Sequence, residues 1–153
     1  MKLKNVMSSE MHTVSTGATI EEAAQVMEIF GLSFLPVLWQ GKAVGVITSN
    51  DIIRKVVARG LAPTETSVAA VMNSEPVVVY EDEGLEEAAL AMRKHQIRHL
   101  LVLRDDGTLG GVFTLSDLAM AWAVEDTGEV LRRIAEPKTH LLETRAHGVA
   151  FAS

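Results

Sequence analysis

Residues 45–51 read GVITSND, and residues 111–117 read GVFTLSD, 66 positions further along the chain. A second pair of matched stretches precedes them, since IEEAAQVM at residues 20–27 returns 65 positions later as LEEAALAM at residues 85–92. The matched stretches lie far apart within each copy and keep the same order. The repeating unit is therefore a supersecondary assembly of about 60 residues, and not a short solenoid turn. We predict that the two copies pack against each other.

Composition and charge exclude several classes of protein. The 153 residues fall within the usual span of one compact domain. The chain has no cysteine, which excludes disulfides and thiolate metal sites. The net charge of −6 and the lack of a basic run argue against nucleic acid as a partner. No apolar run approaches the roughly 20 residues that cross a bilayer, so we expect a cytoplasmic protein with no membrane partner.

The first copy has the pattern of a helix, two strands and a second helix, preceded by a short strand. Thr19 and Glu22 have the spacing of a capping box, which begins an amphipathic helix. Glycines end both predicted helices, and turn residues separate the two strands. The predicted elements are a strand at 13–14, a helix from Ile20 to Gly31, strands at 34–38 and 43–48, and a helix from Asn50 to Gly60.

The second copy predicts the same series of elements. They are a strand at 77–80, a helix at 85–94, strands at 99–103 and 110–114, and a helix at 117–124. Residues 61–72 connect the copies and predict a short helical turn at 68–72. After Gly128 a helix is expected at 129–135, stopped by Pro137, and no element is predicted beyond it. We therefore assign residues 1–62 to the first repeat, 63–128 to the second, and 129–153 to a C-terminal helix and tail.

Each copy places a hydroxyl and a carboxylate where a buried strand meets a helix N-terminus. These are Thr48 and Asp51 in the first copy, and Thr114 and Asp117 in the second. Free amides and the helix dipole favour an anion such as phosphate at this junction. The threonine can donate to phosphate, and the aspartate can accept from two ribose hydroxyls. The same Thr-x-x-Asp spacing also suits plain helix capping, which is the commoner role and remains the alternative.

Several fragments together make each copy resemble a CBS (cystathionine-beta-synthase) domain. In the first copy they are Val6-Met7-Ser8, Thr13-Val14, residues 20–24, residues 31–37 and residues 45–51. In the second copy they are Val71-Met72, residues 85–88, residues 97–102 and residues 111–117. The likeness covers roughly residues 3 to 125. A tandem pair of this kind resembles a Bateman module.

This resemblance implies an α+β fold and a regulatory role. In the family, two β-α-β-β-α units pack sheet to sheet about a pseudo-twofold axis and leave two clefts. The clefts bind AMP, ADP, ATP or S-adenosylmethionine, and the module often regulates an attached enzyme or channel. No attached catalytic domain is identifiable here, so we expect a binding protein that requires no cofactor and signals to a regulated partner. The alternative is a structural, dimerisation or partner-binding module that has no ligand.

The resemblance also implies which residues contact the ligand. It assigns Asp51 and Asp117 to the ribose hydroxyls, and Thr48, Asn50, Thr114 and Ser116 to the neighbourhood of the phosphate or ribose. It implies adenine contacts near His12, Thr13 and Val14 in one cleft and near Val77, Val78 and Val79 in the other. Arg98 and His99 match a basic pair that reaches phosphate in some family members. The first copy has the uncharged pair Ser33 and Phe34 instead, so a polyphosphate should prefer the cleft that receives Arg98 and His99.

Catalytic and metal sites are not expected. No nucleophile elbow or paired carboxylates occur in a plausible common pocket, so we predict no catalytic residues and no enzyme. His95 and His99 stand four apart, but His99 begins a strand, so no metal site is expected. We expect a homodimer formed through the helices, as is common in the family. Apolar residues that fit either such a surface or the core are Ile52, Ile53, Val56, Val57, Leu118, Trp122 and Val124.

Overall fold

The protein is described by a computed structural model, which covers residues 1–122 and 124–137. The first repeat contains β1 (Val14–Ser15), α1 (Ile20–Phe30), β2 (Phe34–Trp39), β3 (Lys42–Thr48) and α2 (Ser49–Ile52). The second contains β4 (Val78–Tyr80), α4 (Leu85–His95), β5 (His99–Leu103), β6 (Leu109–Thr114) and α5 (Leu115–Ala121). Between them lies α3 (Val68–Val71), and α6 (Val124–Ala135) follows. The predicted α+β duplication is confirmed.

The matched helices α1 and α4 begin alike. The Thr19 hydroxyl accepts from the Glu22 amide at 3.1 Å, and the Glu22 carboxylate accepts from the Thr19 amide at 3.0 Å. This is the predicted capping box. In α4 the Glu87 carboxylate accepts from the Gly84 amide at 3.0 Å. Both helices end in a residue with left-handed backbone, which is a glycine in the first copy and Gln96 in the second.

Each repeat forms a three-stranded sheet with one parallel and one antiparallel pairing. The strand orders are β1-β2-β3 and β4-β5-β6. The first strand of each sheet pairs in parallel with the second, which pairs antiparallel with the third. In both sheets the glycine that opens the repeated motif lies opposite a buried valine, as Gly45 opposite Val37 and Gly111 opposite Val102. The duplicated sequence therefore gives duplicated register.

A short segment precedes each repeat and packs against the other repeat, so the two leading segments are exchanged. Leu3, near the start of the chain, is fully buried in the core of the second repeat. Ser8 exchanges backbone hydrogen bonds of 3.1 Å with Val112 in β6. Reciprocally, Val68 and Val71 of α3 are buried in the core of the first repeat, and Asn73 pairs with Val46 in β3. The packing thus crosses the boundary predicted at residue 62.

This exchange explains the two motif glycines. A Cβ on Gly45 would lie 2.7 Å from the Asn73 carbonyl oxygen and 2.7 Å from the Met72 sulfur. On Gly111 it would lie 2.6 Å from the Ser8 carbonyl oxygen and 2.8 Å from the sulfur of Met7. Only glycine lets the leading segment approach the strand this closely.

The two sheets pack face to face. Val46, Leu101 and Leu109 form the buried centre of this contact, and partly buried side chains from both sheets surround them. Phe34 and His99 stack at its edge with ring centroids 4.2 Å apart and an interplanar angle of 10°. Because these residues hold equivalent positions in β2 and β5, their contact lies on the pseudo-twofold axis.

Three predictions about the helices need correction. Gly128 lies inside α6, which begins at Val124 and not at residue 129, because burial of Val130 against the second repeat offsets the roughly 1 kcal/mol penalty of a helical glycine. The helix predicted to run to residue 124 ends at Ala121, since Trp122 is extended. The helix that begins at Ser49 changes to π-helical turns at 53–57.

The apolar residues on these helices divide between core and surface. Val56 and Leu118 are fully buried, so neither serves as exposed dimer surface. Ile53 and Val57 are 56% and 64% exposed. Ile52 and Trp122 are partly buried against the cores. The side chain of Val124 and the whole of the predicted tail at 138–153 lie outside the described residues.

Candidate functional site

Two clefts lie between the repeats at equivalent places. The first cleft has a volume of about 490 Å³ and lies beside Thr48 and Asp51. The second cleft has a volume of about 220 Å³ and lies beside Thr114 and Asp117. Each is closed on its other side by residues from the opposite repeat. The clefts are thus pseudo-twofold copies of one site.

The first cleft brings together predicted residues that are far apart in sequence. From the first repeat come Thr48, Asn50 and Asp51, at the start of α2. From the second repeat come Arg98 and His99, at the start of β5, and also Val77. The cleft that receives Arg98 and His99 is therefore the one beside Asp51. Each repeat supplies half of the site.

Asp51 both caps α2 and faces the cleft. Its Oδ2 accepts from the Thr48 amide at 3.0 Å and from the Thr48 hydroxyl at 2.9 Å. The Thr48 hydroxyl in turn accepts from the Asp51 amide at 3.1 Å. The capping role is therefore confirmed, and its hydrogen bonds occupy only one carboxylate oxygen. Oδ1 lies 3.3 Å from Lys55 Nζ, and the Asp51 side chain keeps 20% of its exposure.

The capping hydrogen bonds also determine which groups the hydroxyls of Thr48 and Thr114 can contact. The Thr48 hydroxyl has one proton, which it already donates to Asp51. Thr114 donates to Asp117 in the same way, at 2.9 Å. In this arrangement neither threonine is free to donate to a phosphate. Their role is to hold the aspartate in place.

Positive charge gathers at the first cleft. Arg54 and Arg98 both line it, and both are exposed. Within residues 1–122 and 124–137, no carboxylate forms an ion pair with either guanidinium. A groove of about 540 Å³ continues from the cleft past Arg54 to Lys55 and Arg59. Arg54 was not identified from the sequence, although its position one helical turn after Asp51 is a usable signal.

His99 contributes hydrogen-bonding capacity and little charge. Burial lowers its pKa from the usual 6.5, and the nearby Asp51 carboxylate opposes that shift only in part. The imidazole is therefore mostly neutral at pH 7 and stacks on Phe34. Of the basic pair expected from the sequence, Arg98 alone supplies a full positive charge.

The second cleft has a different lining. Glu10 and His12 contribute to it with Asp117, and Met11, Leu32, Phe34 and Pro36 form its apolar wall. The His12 ring stacks on Phe30 with centroids 3.5 Å apart. Asp117 Oδ2 accepts from the Thr114 amide at 2.8 Å, as in the first cleft. The residue in the position of Lys55 is Ala121, so this aspartate has no equivalent lysine beside it.

Five residues expected at the ligand do not line either cleft. Val14 is buried in the core of the first repeat, Val79 is buried in the core of the second, and Val78 packs between the sheets. Thr13 and Ser116 are also absent from both linings, and Ser116 faces solvent. Side chains alternate across a strand, so residues within β1 and β4 point to the core or to the other sheet. The clefts are lined instead by His12 and Val77, which precede these strands.

Part of the lining of the first cleft comes from outside both repeats, namely Ile134 of α6. Gln96, at the end of α4 in the second repeat, also lines this cleft. The Gln96 side-chain amide donates to the carbonyl oxygens of Arg133 at 3.1 Å and Glu136 at 3.2 Å. These bonds fasten the end of α6 beside the cleft. The sequence patterns of the repeats carry no signal for this contact.

Residues 1–122 and 124–137 contain neither a bilayer-spanning helix nor a cluster of metal ligands. None of the helices there combines the length and apolar character that a bilayer crossing requires. The same ranges contain no group of three or more His, Asp or Glu side chains arranged to hold a metal ion.

Comparisons with known sequences identify the repeats. The CBS domain family model matches twice, at residues 3–58 and 68–123. CBS domain-containing protein YhcV of Bacillus subtilis is 34% identical over 139 residues, which cover 90% of this chain and 98% of YhcV. Two other curated relatives are larger enzymes, and the matched part of the chain spans 22% of each.

Solved structures agree with this result. The CBS domain protein TA0289 of Thermoplasma acidophilum has a TM-score of 0.78 and 25% identity, covering 87% of this chain and 75% of that one. The CBS domain pair of protein MJ0100, solved with 5′-methylthioadenosine and S-adenosylmethionine, has a TM-score of 0.71 and 27% identity, covering 80% and 100%. Since the family matches coincide with the two duplicated sheet-and-helix units, this chain belongs to the CBS domain family as a tandem pair.

Proposed function

We propose that this chain is a non-catalytic regulatory protein that binds an adenosine nucleotide in the first cleft. The observation that carries the proposal is the meeting of Asp51 and Arg98 in one cleft, each from a different repeat, where Arg98 forms no ion pair with any described residue. CBS domains are generally regulatory and not catalytic. The MJ0100 pair, at 27% identity, is solved with two adenosine derivatives, which supports adenosine as the common part of the ligand.

The first cleft offers complementary chemistry for each part of a nucleotide. Asp51 Oδ1 accepts hydrogen bonds from the ribose hydroxyls, while Thr48 keeps the carboxylate oriented through the cap. Adenine packs against the apolar lining, to which Pro76, Val77 and Ile97 contribute. Asn50 lies at the helix N-terminus, where the free amides favour an anion.

The charge of the first cleft favours phosphate. Arg54 and Arg98 are guanidinium groups, which bind phosphate oxygens through charge-assisted hydrogen bonds. Asp51 is already paired with Lys55, so the two arginines leave the cleft with a net positive charge. We therefore expect AMP, ADP or ATP to bind more tightly than S-adenosylmethionine, whose sulfonium group is cationic. Arg59 and Lys55 in the adjoining groove extend the positive surface toward the distal phosphates of a longer chain.

Signalling follows from a ligand that touches both repeats. A nucleotide held by Asp51 and Arg98 links the repeats and favours the arrangement in which both contacts are made. The regulated partner then responds to that change in population. We also propose a homodimer, for which Ile53 and Val57 offer exposed apolar surface on the helix that carries Asp51.

The exposed side chains of Ile53 and Val57 also favour the second candidate function, which is a dimerisation or partner-binding module with no ligand. Ile53 and Val57 would serve that role whether or not the clefts bind nucleotide. Ligand binding separates the two candidates, since a pure interaction module gains no stability from any adenosine compound.

A thermal-shift series with AMP, ADP, ATP and S-adenosylmethionine tests the proposal. A ligand at 100 times its Kd should stabilise the protein by about 2.7 kcal/mol. For a chain of this size the Tm should rise by roughly 5 to 10 °C. Asp51→Ala should reduce the rise with AMP, ADP and ATP, measured against its own unliganded Tm, while Asp105→Ala in the β5–β6 turn should keep it. No rise with any of these three nucleotides, or a full rise with them in Asp51→Ala, contradicts the proposal.

A further inference from the structure

The two clefts share their backbone positions but differ in charge. The cationic residues that the two copies share in position at the first cleft and its adjoining groove have uncharged equivalents in the other copy. The pairs are Arg54 and Met120, Lys55 and Ala121, and Arg98 and Ser33. The duplication thus kept the cleft and changed the groups that would face a phosphate.

Negative charge is kept in the second cleft. Asp117 caps its own helix as Asp51 does, and its Oδ2 accepts from the amide and the hydroxyl of Thr114. Glu10 lines the cleft as well, whereas its equivalent Glu75 does not line the first cleft. Of the described residues that line the second cleft, none is a lysine or an arginine. Met120, in the place of Arg54, is 89% exposed and does not reach the lining.

The part of the second cleft that would hold a nucleoside is retained. Asp117 offers a carboxylate to the ribose, as Asp51 does. The apolar wall formed by Leu32, Phe34 and Pro36 offers a surface to the base. The volume of about 220 Å³ is less than half that of the first cleft. Among the described residues, the lining lacks the lysine and arginine side chains that would complete a phosphate site.

We propose that the second cleft selects an adenosine derivative without a phosphate group, so that the pair responds to two chemically different ligands. The inference rests on the proposed function, in which an aspartate at this position binds ribose. A phosphate here would lose its hydration without a cation to replace it and would be repelled by Glu10 and Asp117. An uncharged or cationic derivative avoids both penalties.

Calorimetric titration of the full chain with AMP and with 5′-methylthioadenosine tests this division. AMP should bind at one site that Asp51→Ala weakens at least about tenfold. 5′-Methylthioadenosine should bind at a site that Asp117→Ala removes, and saturation with AMP should leave that binding in place. Asp105→Ala should change neither titration.

The alternative results separate the two proposals. AMP binding of similar affinity at a second, Asp117-dependent site would overturn the selectivity of the second cleft. 5′-Methylthioadenosine that only competes with AMP, and that Asp51→Ala abolishes, would overturn it too, while the first cleft would keep its proposed function. If neither compound binds, the proposed function fails and this inference fails with it.

Restoring one cation provides a test by gain of affinity. Met120→Arg places a guanidinium where Arg54 stands in the other copy, and the exposed position makes the change compatible with folding. AMP should then bind at an Asp117-dependent site at least about tenfold more tightly than in the unsubstituted protein. Met120→Gln, of similar length and no charge, should not gain affinity. Equal affinity of AMP for the Asp117-dependent site in Met120→Arg and Met120→Gln would overturn the inference.

Discussion

His99 stacks on Phe34 with ring centroids 4.2 Å apart, although the two residues hold the same position in different repeats. A pair of equivalent residues in contact lies on the pseudo-twofold axis, so the stack marks where that axis passes the edge of the sheet contact. Because one member is histidine and the other phenylalanine, the axis is chemically asymmetric. The Asp51 carboxylate acts on the imidazole from the first cleft, whereas the phenyl ring of Phe34 holds the equivalent place in the cleft of Asp117.

Burial of the His99 imidazole makes the free energy of unfolding depend on pH. The folded pKa of His99 lies below its unfolded value of about 6.5, so protonation favours unfolding. The contribution is fully present above pH 6.5 and is lost as the pH falls through the folded pKa. We expect the unfolding free energy, from urea titrations at pH 7, 6 and 5, to fall less in His99→Phe than in the unsubstituted protein. His95→Gln, at an exposed position, is the control, and an equal fall in His99→Phe would contradict this account.

Thr48→Ala should lower both stability and affinity. The change removes the hydroxyl that accepts from the Asp51 amide and donates to its carboxylate. Loss of such a cap costs about 1 kcal/mol of unfolding free energy. Nucleotide affinity should fall less than in Asp51→Ala, because the carboxylate remains but is less well oriented. An affinity loss equal to that of Asp51→Ala would instead indicate that the hydroxyl itself contacts the ligand.

Gly45→Ala should be strongly destabilising. The added Cβ would lie 2.7 Å from the Asn73 carbonyl oxygen, so the exchanged segment must move away from β3. Overpacking of this kind costs about 1 to 3 kcal/mol. Gly17→Ala is the matched control, because a Cβ there meets nothing within 4 Å, and its effect should stay within about 1 kcal/mol. Urea unfolding of the two variants measures the difference, and equal stability would contradict the close approach.

Gln96→Asn should loosen the end of α6. Asparagine tolerates the left-handed backbone at this position, with φ of 51°, but its shorter amide cannot keep the bonds to Arg133 and Glu136. Hydrogen exchange in the last turn of α6 should therefore become faster. Nucleotide affinity should fall a few-fold, since Ile134 on the same helix lines the first cleft. Unchanged exchange would show that packing of Val130 alone holds the helix.

Most of the local structure could be predicted from the sequence. Caps at Thr19 and Thr48, alternating apolar residues and glycine stops set the order of helices and strands in each copy. These signals are local and occur twice, so each copy supports the other. Gly128 was one exception, because tertiary burial of Val130 overrides a local helix breaker.

The arrangement of the site could be predicted only in part. Asp51, Arg98 and His99 were identified as residues, but their meeting in one cleft depends on how the sheets pack, which no local pattern specifies. The exchange of leading segments, which makes Gly45 necessary, is likewise a long-range contact. Arg54 and Ile134 were missed, since one is an ordinary exposed helix residue and the other lies outside the repeats.

The central claim is that one nucleotide is held jointly by Asp51 and Arg98, from different repeats. Calorimetric titration of AMP into the unsubstituted protein, Asp51→Ala, Arg98→Ala and the double variant tests it most directly. We predict that each single substitution weakens the same binding event at least about tenfold. The double variant should lose less than the sum of the two free energies, because both residues act on one ligand. Two separate binding events, each removed by a different substitution, would contradict a site shared between the repeats.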